Sequence, residues 1–171
     1  MGQTAFYFKK LKNWEKITLL AYLLLSLFIF WYSLRNTLII DKKVNLINFY
    51  AFSTQFCLYL FNYRSLRNWN VYFCWLAIAV VHLILYVLIS KYLASNFEQS
   101  LSVIRLRNTL ILLLLFQLFQ YINVKLIGCG LVVPNGRGPD MRMDLWGERK
   151  AGIFDYMFLV TYFAVMIYLD F

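Results

Sequence analysis

Glycine and proline are nearly missing from the apolar parts of this chain. All but one of the seven glycines, and both prolines, fall between positions 128 and 152. The long apolar runs therefore hold no internal Gly-x-x-x-Gly, which excludes the close small-residue route by which many transmembrane helices pair. Charge is scarce too. Only 15% of the residues are charged, against about a quarter in an ordinary soluble domain. With 62% hydrophobic residues, a water-soluble fold would leave large apolar patches bare.

Other absences narrow the chemistry. A lone histidine, His82, excludes the His-rich arrays that hold haem or clustered metals. Cys57, Cys74 and Cys129 show no C-x-x-C spacing, and the first two sit in apolar runs, so they read as packing residues. There is no serine nucleophile elbow, no H-E-x-x-H and no pair of intramembrane carboxylates. Acid–base chemistry needs groups within about 3 Å of each other. No catalytic, cofactor-binding or metal-binding set can be assembled, so the chain reads as non-enzymatic. Gly2 is followed by Phe6 where a myristoylation signal requires Ser or Thr. The first apolar run lacks a small-residue cleavage site and is expected to be retained.

What is present is long stretches of apolar side chains, with a mean hydropathy of +0.63 over the whole chain. The runs at 17–34, 44–63, 70–90, 108–127 and 152–171 approach the roughly 20 residues needed to cross about 30 Å of hydrocarbon as a helix. They are continuously apolar, not alternating over about 10 residues, so helices are expected over a barrel. The fold class is all-α: one polytopic transmembrane bundle over residues 1–171, with five spans, or four if 44–63 does not cross. That run is the most diluted, by Asn45, Asn48, Ser53, Thr54, Gln55 and Asn62.

The 17 Lys and Arg against 8 Asp and Glu give a net charge of +9. These charges lie in short clusters between apolar runs, with no recognition motif for nucleic acid, and so point to anionic headgroups. With five spans, 11 basic residues fall on the N-terminal side and 6 on the other, which favours a cytoplasmic N-terminus in a bacterial-type inner or plasma membrane. Leu-Arg-Asn recurs at 34–36, 66–68 and 106–108. The copies sit at unlike places relative to the runs and read as coincidence or as interfacial anchors.

Three features stand out as candidate sites. Asn48, Gln55 and Asn62 recur every seven residues and share a helix face, and Gln117, Gln120 and Asn123 recur every three. Two such stripes are expected to face one another, as interhelical glue or as the lining of a wetted path. His82 lies mid-run, where an ionisable group is a functional hypothesis by default. With no ionisable partner at its depth, it is expected to be neutral and bonded to a Gln or Tyr of a neighbouring span. The hydrophilic loop 128–151 carries Arg137, Asp140, Arg142, Asp144, Trp146, Arg149 and Lys150 among strong turn signals, as a surface for a partner or for headgroups would.

Taken together, these residues describe a non-catalytic integral membrane subunit or accessory protein. Its expected partners are membrane lipids and either further copies of itself or other membrane subunits. The alternative is a small oligomeric channel or membrane-permeabilising effector lined by the Asn and Gln side chains. A membrane enzyme or carrier working through His82 stands third.

Overall fold

The computed structural model describes residues 7–34, 40–92, 97–134 and 150–169, except for the side chains at 33–34, 40–44, 92 and 97–102. The chain is all-α. Its five helices are α1 (Asn13–Leu34), α2 (Ile40–Leu60), α3 (Trp69–Tyr92), α4 (Phe97–Ile127) and α5 (Ile153–Tyr168), with a short 3-10 turn at Ser65–Arg67 before α3.

α2 and α4 stop where the backbone finds another partner. Beyond Leu60 the amides of Phe61 and Asn62 both reach the carbonyl of Cys57, and the Asn62 side chain also donates to it, so the helical ladder closes there. α4 runs 31 residues, starting 11 before the apolar run at 108–127 that marks it in the sequence. No glycine or proline interrupts it until Gly128. There φ is +74° and the amide bonds to Val124 O at 2.9 Å, a left-handed helix end that suits glycine. α5 starts after Gly152, whose N–H donates to Asp155 Oδ2 at 2.8 Å. An acid three residues into a helix holds the capping amide in this way.

α4 is the central element. α2 and α3 pack along it, α5 lies against its C-terminal half, and α1 sits outside on α3, where Tyr22 meets Trp75 edge-on at 4.8 Å. With no glycine in any helix, fully buried Ala51 and Ala79 are the small residues of the interior, and rings fill the rest. Tyr59 is wedged between Phe116 at 5.8 Å and Tyr162 at 4.3 Å.

Among the described residues, three helices are long and apolar enough to cross a membrane: Asn13–Tyr32, Trp69–Lys91 and Val103–Ile127. α5 is apolar but shorter, 16 residues or about 24 Å at helical rise. α2 is long enough but too polar in composition to qualify.

Burial is arranged against the pattern of a water-soluble protein. Leu20, Leu24, Phe28, Phe49, Leu114 and Val160 are exposed, while Gln55, His82, Asn108, Gln120, Asn123 and Asp155 are fully buried. Polar side chains turned inward and apolar ones outward are what a hydrocarbon solvent selects.

Candidate functional site

Two groups of buried polar side chains stand out. The first surrounds His82, which is fully buried near the middle of α3. Its Nε2 lies 2.7 Å from Tyr50 Oη of α2 and its Nδ1 lies 3.2 Å from Thr109 Oγ1 of α4. The Tyr50 hydroxyl in turn lies 2.5 Å from Ser26 Oγ of α1. Four helices thus meet at one hydrogen-bonded chain, and each residue sits well inside its helix.

One consistent set of proton positions follows from Ser26. Ser26 donates its only hydroxyl hydrogen to Tyr22 O at 2.7 Å, so toward Tyr50 it can only accept. Tyr50 must then donate to Ser26, which leaves its oxygen to accept from His82 Nε2–H. A neutral imidazole protonated at Nε2 accepts at Nδ1 from the Thr109 hydroxyl, for which His82 at 3.2 Å is a nearer acceptor than Arg105 O at 3.5 Å, and Thr109 itself accepts from Gln55 Nε2 at 3.3 Å. The chain therefore runs in one direction from Gln55 to the Tyr22 carbonyl, with Gln55 also donating to Arg105 O. Tyr50 also lies edge-on to the imidazole ring at 4.9 Å.

The second group ties the ends of α4 and α5 to the segments between helices. Asp155, fully buried, accepts from Val132 N at 3.1 Å and Asn123 Nδ2 at 3.4 Å on Oδ1. Gln120 Oε1 accepts from Leu131 N at 2.8 Å, and Arg67 donates to Leu131 O at 2.5 Å. Gly130 is pressed against that guanidinium: a Cβ there would lie 2.7 Å from Arg67 Cζ. A side chain at this position would oblige the guanidinium to shift. Gln117 Nε2 donates to Leu66 O at 3.0 Å.

The two amide stripes are not brought face to face. Gln55 turns toward α4, donating to Arg105 O at 2.6 Å and to Thr109. Asn62 ends its own helix, whereas Gln117, Gln120 and Asn123 hold the 66 and 129–131 segments and Asp155. The reason is geometric: both α2 and α4 run toward this end, and the amides there meet chain that has left its helix with open backbone groups. Gln55, Gln117 and Asn123 each use the amide nitrogen. Their oxygens, and that of Asn48, are buried without a hydrogen-bond partner among the described residues.

Arg137, Asp140, Arg142, Asp144, Trp146 and Arg149 lie outside the described residues; Lys150 is exposed just before α5. Among the described residues no three of His, Cys, Asp and Glu come together as a metal would require. Ser26, Tyr50 and Thr109 are legible in the sequence only as hydroxyls in apolar runs, because the spacing that joins them crosses four helices. Asp155 carries a local signal, as an acid three residues after Gly152. Comparison with models of protein families, with curated proteins and with solved structures finds no match to this chain.

Proposed function

We propose that the protein is a non-catalytic integral membrane subunit. All five helices are embedded, the N-terminus is cytoplasmic, and the apolar outer faces are offered to lipid and to other membrane subunits or further copies. The observation that carries this reading is the inverted burial, and α2 is its most informative element. α2 directs Thr54 and Gln55 inward and Phe49, Phe52 and Phe56 outward, which turns a helix of middling hydropathy into one with a lipid-compatible outer face. Native size in mild detergent, measured with copurifying proteins identified, tests the subunit reading. A strictly monomeric protein without companions would count against it. Alkaline phosphatase fusions after positions 35, 94 and 140 test the topology, with activity expected only at 35 and 94.

A channel is the second reading, and one observation favours it. The unpartnered oxygens of Gln55, Gln117 and Asn123 are groups that water would satisfy. Against it, the nitrogens of the same amides are spent on backbone carbonyls and Asp155 within one copy. Flux across liposomes decides between the two.

A further inference from the structure

We infer that the end of the bundle carrying the N-terminal segment is a platform that selects anionic lipid headgroups. The inference rests on the membrane-embedded reading above and adds a lipid class to it.

The platform is built, not merely basic. The backbone of residues 7–9 is pinned beside the turn before α3: Tyr7 N donates to Arg67 O at 3.2 Å and Trp69 N donates to Tyr7 O at 3.1 Å. Lys9 is held on both sides, its N–H by Asn68 Oδ1 at 3.2 Å and its carbonyl by the side-chain amides of Asn68 and Asn70 at 3.0 Å each. Phe8 stacks on Trp69 at 6.3 Å, and Trp14 is exposed on the first turn of α1. Aromatic rings of this kind sit at the headgroup level of a bilayer.

With the backbone fixed, Lys9, Lys10, Lys12 and Lys16 all point outward and are exposed, and Lys125, from the last turn of α4 at the same end, joins them. The acidic partners that would normally balance such a group are turned inward. Glu15 and Asp155 are the two acids whose side chains are described, and both are buried, Glu15 with its carboxylate on the Lys12 amide at 2.8 Å. Residues 135–149 carry three basic and three acidic residues and sum to zero. The exposed field of the described end is therefore of one sign, beside the aromatic pair that marks the interface. Phosphate-bearing, net-negative lipid is the partner that this charge and position fit.

The test uses the full-length protein in liposomes of phosphatidylcholine containing spin-labelled phosphatidylglycerol or spin-labelled phosphatidylcholine, with the motionally restricted fraction read by electron spin resonance. Phosphatidylglycerol is expected to be preferred by at least about fivefold, the change that one effective lysine–headgroup contact gives. The preference should fall sharply in 0.5 M salt, since the screening length shrinks below about 5 Å. K9Q/K10Q/K12Q/K16Q should abolish most of it, whereas K91Q, at the opposite end, should leave it intact. Equal association of the two lipids with the wild type overturns the inference, as does a preference untouched by the four substitutions in protein that keeps its helical circular dichroism. A surface meant for an acidic protein would give that same null. Failure of the chain to resist carbonate extraction would instead overturn the membrane-embedded reading itself.

Discussion

Tyr50 is the residue on which the buried chain of hydrogen bonds turns, because its single hydroxyl accepts from His82 and donates to Ser26. Tyr50→Phe keeps the ring and strands the His82 Nε2–H in an apolar interior. A bond of this kind inside a membrane bundle contributes about 0.6–2 kcal/mol, so thermal unfolding in detergent should drop by roughly 2–6 °C. Ser26→Ala should cost less, because Tyr50 loses one acceptor and His82 keeps its own. The double variant should fall short of the sum, since both act on one chain. At the other polar group, Gly130→Ala places a Cβ where the Arg67 guanidinium lies and displaces its bond to Leu131 O. The midpoint of unfolding should fall by several degrees, and Arg67→Leu should make the alanine nearly silent. Additive losses in that pair would show that the two residues do not act through their contact.

Among the elements, α2 and α5 are the ones whose place in a membrane composition alone leaves open. α2 carries Phe49 on its outer face, 71% exposed and close to the helix centre. If that face meets hydrocarbon, Phe49→Arg costs about 2.5–3.5 kcal/mol of insertion free energy, whereas Phe49→Leu costs almost nothing. Membrane-integrated yield should therefore collapse for the arginine variant and hold for the leucine one. Unchanged yield for both would put α2 at the surface. α5 is short for a full crossing, and its N-terminus is fixed by Asp155. Asp155→Asn sets an amide N–H against the donors that the carboxylate now satisfies. Protease cleavage near residues 150–152 should accelerate as the start of α5 loosens.

At the scale of the whole molecule, the amide stripes act as fasteners before they can act as a lining. Replacing Gln117 and Gln120 with Leu removes the bond to Leu66 O and the acceptor of Leu131 N. The expected outcome is less folded protein and no change in ion flux from liposomes per folded molecule. A specific loss of flux with protein level maintained would move the function to the channel reading. The same molecule-wide view explains the packing. In a bundle without glycine in its described helices, tyrosine, phenylalanine and tryptophan rings fill the space between them.

The helical class, the single chain of apolar runs and the candidate crossings at α1, α3 and α4 were legible in the sequence, because continuous hydropathy over about 20 residues is a local property. For His82 the sequence led to an expected hydrogen bond with a Gln or Tyr of a neighbouring helix, since an imidazole in hydrocarbon must find a polar neighbour. The identity of that neighbour was not. Ser26, Tyr50 and Thr109 become one chain with His82 only once four helices are set at particular rotations, and no spacing along the sequence encodes a rotation. The three-residue rhythm of Gln117, Gln120 and Asn123 gave the expectation of a stripe facing the one on α2, but what these amides meet was decided by tertiary structure. The returning segment at 129–133 and the cap of α5 bring open backbone groups to it. Composition alone pointed to hydrocarbon as the solvent; the fold chose which polar groups face inward, and among the described residues the two buried acids leave the lysines of one end as its exposed charge.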